Sequence, residues 1–221
     1  MKLANESELF EAMEAKLGAA LVSDVVDSLG ARNQAMKADV VPMYLGARVV
    51  GRAYTVLAAD VFQAGDDPYR GEIEAVDSLK TNDVVVLSTN GSTRTCVWGE
   101  LLSTAAQCRG ARGAVIDGYS RDVSQIASMG FPTFATGRRP VDSAGRSIVI
   151  DHGCPIECGG VIVRTGDIVF GDIDGVIVIP KELEKQVICR ALEKAGREDL
   201  LRKELLAGAT LSAAYAKYQV L

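Results

Sequence analysis

Two stretches with helical spacing flank one short apolar run between glycines, and this unit constrains the chain more than any other feature. Residues 101–109 (LLSTAAQCR) repeat apolar side chains along one helix face, 113–117 (GAVID) reads as a buried strand, and 122–129 (DVSQIASM) reads as a second helix ending before Gly130. A strand of that kind is apolar towards both of its faces. Helix and sheet must therefore pack in layers.

The same unit brings charge to two helix starts. Gly99 and Glu100 open the first helix, Arg121 and Asp122 open the second, and 20 residues separate Glu100 from Arg121. Unpaired backbone N–H groups and the helix dipole favour anions at such ends. Arg121 offers a planar fork that holds a carboxylate through two bonds. Glu100 and Asp122 offer hard oxygen donors suited to Mg2+ or Mn2+. The plainer explanation is that acids are common in first turns and that Arg121 and Asp122 form a surface ion pair. Gly110, Gly113 and Gly118 favour a functional site, because backbone without a side chain approaches a ligand closely.

Along the rest of the chain, spacing and caps predict helices over 8–17 and from a Ser23 or Asp24 cap to Leu29, with Gly30 as the stop. Residues 43–59 (MYLGARVVGRAYTVLAA) read as strand interrupted at Gly46 and Gly51, as in twisted or bulged strands. Helix is expected over 72–79, and 83–88 (DVVVLS) reads as a fully buried strand. Glycine turns then join short strands at 133–135, 146–150, 160–163, 167–170 and 174–179, before an amphipathic helix over 181–206. The tail that follows, LSAAYAKY, has apolar residues enough either to meet a partner or to cover its own domain. Residues 64–71 (AGDDPYRG) read as a surface loop rather than a flap over a cleft. The fold class expected is α/β, with layers around mixed sheets and a helical tail, in a single domain over 1–221.

Composition excludes several functions. A net charge of −5 and a pI near 5.0 disfavour direct nucleic-acid binding, which needs a basic face. No uninterrupted apolar stretch approaches the roughly 18 residues of a membrane span, and the N-terminus has no secretory core, so a cytoplasmic protein is expected. Five cysteines are an odd number and too sparse for a disulfide framework. His152, Cys154 and Cys158 cluster, but three soft ligands at that spacing fall short of a zinc knuckle. No G-x-G-x-x-G occurs, which disfavours nucleotide and methyl-donor cofactors. Neither Lys80 nor Lys181 sits in the apolar context that a Schiff-base lysine needs. Asp172 and Asp174 lack the rest of a calcium loop and are read as a tight turn.

The pattern Gly99-Glu100, 20 residues, Arg121-Asp122 resembles the signature of a known family, the metal-dependent 4-hydroxy-4-methyl-2-oxoglutarate / 4-carboxy-4-hydroxy-2-oxoadipate aldolases grouped with the RraA-like proteins. Gly113 to Gly118, Phe131 to Phe134 and Gly166 to Pro180 are also similar to family segments, so the likeness covers about residues 20–210. Regulators of the group that inhibit RNase E generally lack the aspartate after the arginine, and this chain has Asp122. The resemblance therefore implies a catalytic member with the swivelling β/β/α fold and a C-terminal helix, assembled as a homotrimer or hexamer with sites at subunit clefts. It implies cleavage of a 4-hydroxy-2-oxo acid to pyruvate and a second 2-oxo acid, with Mg2+ or Mn2+ as cofactor and oxaloacetate decarboxylation as a side activity. It also implies roles for single residues. Arg121 would hold the 2-oxo acid end and stabilise the enolate, and the N–H groups of Leu101 and Leu102, just after Gly99, would cradle the carboxylate. Asp122 would hold the metal directly or through water, and Glu100 would order metal-bound waters, one of which would move the proton of the 4-hydroxyl. A non-catalytic protein that binds and inhibits a ribonuclease is the alternative. Arg52, Arg94, Arg138 and Arg139 are candidates for a second substrate carboxylate.

Overall fold

The computed structural model describes residues 5–63 and 65–221. Its first part comprises α1 (Glu6–Lys16), α2 (Ala19–Ser28), β1 (Val41–Pro42), β2 (Val49–Asp60) and α3 (Arg70–Asp77). The central part alternates β3 (Asp83–Ser88), β4 (Cys96–Trp98), α4 (Glu100–Cys108), β5 (Gly113–Ser120), α5 (Val123–Met129) and β6 (Thr133–Arg138). Short strands β7 (Ser147–His152), β8 (Ile156–Cys158), β9 (Val161–Val163), β10 (Ile168–Asp172) and β11 (Gly175–Ile179) lead to α6 (Glu184–Leu206) and α7 (Leu211–Tyr218).

The main sheet runs β1-β6-β5-β3-β2-β10-β11, with β4 beside β5 and β7 beside β2. Neighbours β2, β3, β5 and β6 are parallel, while β1, β7, β10 and β11 join antiparallel. A bridge from Ala35 to Ile177, and the short path from there to β1, bring the two outer strands together. The mixed sheet thus nearly closes into a barrel.

Strand periodicity decides which side chains fill it. Val84, Val86, Val115, Phe134, Val169, Val176 and Val178 pack with the β8–β9 hairpin residues Ile156, Cys158, Val161 and Val163 in one core. The alternate residues Val85, Leu87, Ala114, Ile116 and Ala135 pack instead with Ala75, Val76, Ala106 and Ile126 of α3, α4 and α5. A third core joins Val50, Ile168, Phe170, Ile177 and Ile179 to α1, α2 and α6. No helix of the described residues is long and apolar enough to cross a membrane.

Several boundaries differ from the sequence expectation, each for a tertiary reason. α2 begins at Ala19 rather than after a Ser23 or Asp24 cap, because the Asp172 carboxylate accepts the Ala19 N–H at 2.9 Å from 153 residues away. Residues 43–48 are not strand; β2 starts at Val49 and pairs regularly through Gly51. Gly51 is no bulge: a Cβ there would lie 2.6 Å from the Asn82 carbonyl oxygen, so the position serves close packing. The loop expected over 64–71 ends at Tyr69, where α3 takes over, and residue 64 lies outside the described residues. α6 begins at Glu184 rather than 181. α7 folds back so that Ala214 and Val220 pack with Leu201 of α6, which covers the chain's own apolar surface.

Candidate functional site

Three-residue β4 is what assembles the site. It pairs with the end of β5, Cys96 opposite Tyr119 and Trp98 opposite Ser120, so the strand-to-helix turns after both strands emerge side by side. That is the carboxyl edge of parallel strands, where α/β sheets bind ligands. The Arg121 N–H donates to the Trp98 carbonyl at 3.0 Å, tying one turn to the other. The Trp98 indole N–H donates to Ser103 Oγ at 2.9 Å, and that hydroxyl donates to the Gly99 carbonyl at 2.9 Å, bracing the start of α4.

Glu100, Arg121 and Asp122 meet here, as their spacing suggested. The Glu100 N–H donates to Asp122 Oδ2 at 3.2 Å. Asp122 takes a left-handed backbone (φ 57°, ψ 32°) and caps α5 with its carbonyl, while its side chain makes no capping bond to that helix. The carboxylate turns instead to the neighbouring helix start. Gly99 permits the approach, since a Cβ there would stand 2.8 Å from Asp122 Oδ2 and 3.2 Å from Arg121 Cγ. By contrast Gly110, Gly113 and Gly118 approach protein and not an open site: added Cβ atoms would meet Thr81, Pro132 and Thr89 respectively. Glu100 Oε1 accepts the Thr104 hydroxyl at 2.8 Å. The N–H groups of Leu101 and Leu102, in the first turn of α4, have no protein acceptor among the described residues.

Arg121 is not free. Its Nη1 lies 3.0 Å from Asp142 Oδ1, and its Nε lies 3.7 Å from Asp122 Oδ2. An incoming carboxylate therefore shares or displaces the Asp142 contact. The Tyr69 hydroxyl donates to the other Asp142 oxygen. Partial burial works against the Asp142 charge, but hydrogen bonds from Tyr69 and Ala144 and the Arg121 charge hold its carboxyl below the ordinary range.

These groups edge a cleft of about 390 Å³, with Glu72 and Tyr69 from α3 and the turn before it on one wall. A second depression, about 370 Å³, lies on the Arg121 and Asp122 side and is flanked by Arg138 and Arg139. Tyr69, Glu72 and Asp142 carry no spacing signal in the sequence. Only the fold brings them to the site. Glu72 is the most perturbed of them, its carboxyl pushed up to about 7 chiefly by burial and also by the Asp142 charge, against Ser143 hydrogen bonding and the Arg121 charge.

Other candidates fall elsewhere. Arg52 binds Glu6 Oε1 at 2.7 Å and both oxygens of Glu184 at 2.6 and 2.8 Å, so it is a structural cation and no carboxylate receptor. Arg94 lies 3.5 Å from Asp60 and stands over the Phe62 ring. His152 Nδ1 is 2.7 Å from the Tyr54 hydroxyl, and Cys158 is buried in the barrel with its thiol pushed up to about 12 by burial and by Asp117. Asp172 Oδ1 accepts the Asp174 N–H at 3.0 Å in the β10–β11 turn.

The donor set suits a hydrated hard cation. Mg2+ commonly takes one or two carboxylates and completes its sphere with substrate oxygens and water. Asp122 offers a carboxylate that is 40% exposed and makes no bond to its own helix, and Glu100 starts the adjacent helix. Among the described residues no cluster of three or more His, Cys, Asp or Glu forms a closed cage.

Comparison with known proteins places this architecture. The chain is 28% identical over 197 residues to Protein DlpA of Legionella pneumophila, spanning 89% of this chain but only 32% of that one. It is 31% identical over 178 residues to a protein of Halalkalibacterium halodurans named "Putative 4-hydroxy-4-methyl-2-oxoglutarate aldolase", covering 80% of each. Among solved structures, Streptomyces coelicolor RraAS2, described as an unusual member of the RNase ES inhibitor RraA protein family, superposes with a TM-score of 0.80. That match is 24% identical, covers 90% of this chain and 98% of the other, and speaks for the fold alone. The RraA-like family model, described as Aldolase/RraA, matches residues 19–178, a span that holds β2, the whole parallel core and both helix starts of the cleft. The chain belongs to the RraA-like family.

Proposed function

We propose that this chain is a divalent-metal-dependent lyase that cleaves 4-hydroxy-2-oxo acids to pyruvate and a second 2-oxo acid. The observation that carries the reading is the convergence of Arg121, Asp122, Glu100 and two unpaired N–H groups at the edge of one cleft. The aldolase name of the 31% identical relative supports it.

The substrate is a dianion whose 2-oxo acid end needs charge neutralised at two oxygens. The N–H groups of Leu101 and Leu102 donate to its carboxylate, and the positive end of the α4 dipole favours the same charge. Arg121 turns its fork from Asp142 to the 2-oxo acid end and stabilises the negative charge that grows on the 2-oxo oxygen as the C3–C4 bond breaks. Asp122 holds Mg2+ or Mn2+, with Glu100 acting through water. The bound ion supplies Lewis-acid polarisation of the 2-oxo group. Because loss of CO2 from oxaloacetate leaves the same pyruvate enolate, decarboxylation is expected as a second activity. Arg138 and Arg139 border the second depression, on the far side of Arg121, and would meet a second substrate carboxylate that reached it. The same reading carries a homotrimer or hexamer, to be tested by light scattering. It also carries a cytoplasmic location, in keeping with five unpaired cysteines.

The test is pyruvate release from 4-hydroxy-4-methyl-2-oxoglutarate and from oxaloacetate, with Mg2+ or Mn2+ and after EDTA, in wild type and Asp122→Ala. Metal-dependent release that falls by about 10² or more in the variant is expected for loss of a group holding the transition-state charge. No release from either acid overturns the lyase and moves the weight to a protein-binding role.

A further inference from the structure

We propose that Glu72 is the proton carrier of this cleft, taking the proton of the 4-hydroxyl as the C3–C4 bond breaks and returning it to C3 of the pyruvate enolate. The inference rests on the lyase reading and deepens it, naming a reacting group that the signature residues do not include.

The geometry is that of a functional acid and not of a structural one. Glu72 is 8% exposed, yet it lines the same cleft as Glu100, Arg121 and Asp142. Its Oε1 is fully buried and has no hydrogen-bond partner. A buried carboxyl oxygen left without a partner is unfavourable, and an apolar residue would fill this place better. Behind Glu72 lies a gap of about 10 Å³ walled by Val56, Val76, Val85, Leu87 and Val149, so nothing on that side offers a bond. The polar groups near Glu72 are those of the cleft, which it also lines.

The charges around Glu72 come from three directions. Asp142, in the segment between β6 and β7, raises its proton affinity, while a hydrogen bond from the neighbouring Ser143 side chain and the charge of Arg121, after β5, lower it. Glu100 stands at the head of α4 and Tyr69 just before α3, while β4 presents Cys96, Val97 and Trp98 and β7 presents Val149. Burial and this balance bring the carboxyl to about 7, so at neutral pH both its ionised form, which accepts a proton, and its protonated form, which donates one, are populated.

The step balances without any co-reactant. The Glu72 carboxylate accepts the O–H proton, the C4–O bond becomes a carbonyl, and the C3–C4 electron pair passes into the enolate. Glu72 then gives the same proton to C3 as the 2-oxo group re-forms, which regenerates its carboxylate.

The experiment follows exchange of the pyruvate methyl protons with D2O by proton NMR in the full chain with Mg2+, for wild type, Glu72→Gln and Glu72→Asp. Circular dichroism of each variant checks the fold. Wild type is expected to exchange, with a pH limb near 7. Glu72→Gln is expected to lose exchange and aldol cleavage by about 10² to 10⁴ in kcat, the range for a lost general acid or base, with pyruvate affinity little changed. Oxaloacetate decarboxylation, whose bond-breaking step needs no base, falls far less, and Glu72→Asp recovers part of the exchange. A wild-type enzyme that cleaves and exchanges while Glu72→Gln matches it, or loses all three activities together, overturns the proposal and leaves the lyase standing. A wild type that releases no pyruvate overturns both.

Discussion

Asp122 sits in a conformation that most residues avoid. Its φ of 57° puts it in the left-handed region, where a side chain with a Cβ costs about 1 kcal/mol and glycine costs nothing comparable. Backbone strain of this kind marks places where the side chain is needed for something besides stability. Replacing Asp122 by Ala and by Gly removes the same carboxylate but leaves different backbones. Asp122→Gly is therefore expected to be more stable than Asp122→Ala by about 1 kcal/mol, read from denaturant unfolding, while both release pyruvate equally poorly. Equal stabilities would mean that the turn relaxes and stores no strain. Gly99→Ala tests the opposite contact. A Cβ 2.8 Å from Asp122 Oδ2 pushes the carboxylate away from the start of α4, and activity is expected to drop roughly 10²-fold with a melting temperature close to wild type. Glu100, Arg121 and Asp122 were legible in the sequence because each marks the start of a helix next to an apolar run. Glu72 was not, because RGEIEAVD reads as an ordinary charged helix segment and its burial depends on β7 and α4. Asp142 lies in the turn between two strands, and nothing local shows that Arg121 reaches it.

At the scale of elements, charged side chains tie helices α1 and α6 to the sheet. Arg52 of β2 binds Glu6 of α1 and Glu184 of α6, with its guanidinium 5.6 Å from the centre of the Phe10 ring. Removing a partly buried cation from between two carboxylates leaves both facing one another, so Arg52→Ala is expected to cost about 2 to 3 kcal/mol, measured by urea unfolding. A change below about 0.5 kcal/mol would rank the triad with ordinary surface pairs. Long periodic elements were readable: β3, α4, β5 and α6 fall close to their expected places. The misses share a cause. β4 and β8 have three residues each, too few for a period to repeat, and α2 starts four residues before its expected cap because its capping carboxylate comes from β10. β4 matters most among these, since its pairing with β5 brings the two helix starts together. The two halves of the site were therefore visible singly, and their meeting was inferred rather than read.

For the molecule as a whole, the buried Glu72 couples stability to pH in a direction opposite to most carboxylates. Its folded pKa is raised from the ordinary 4.5 to about 7, so the folded state holds the proton more tightly than the unfolded chain does. The resulting stability is fully present below 4.5 and is lost as pH rises through 7. Asp142 works the other way: its folded carboxyl is held below the ordinary 3.8, so its contribution is present above that value and is lost on further acidification. Between pH 5 and 8 the Glu72 effect changes, and a shift of this size corresponds to at most roughly 3.5 kcal/mol, because one pKa unit is worth about 1.4 kcal/mol. Glutamine keeps the shape and cannot titrate. Glu72→Gln should therefore gain on wild type as pH rises from 5 to 8, in urea unfolding followed at each pH, with the same dependence on urea concentration in the two proteins. A constant offset across that range would show that Glu72 is hydrated in the folded state and titrates like an exposed glutamate. Such hydration would remove the electrostatic basis for a proton carrier in the cleft. The same burial that costs the fold stability at neutral pH is what gives the carboxyl a proton affinity suited to a reaction run there.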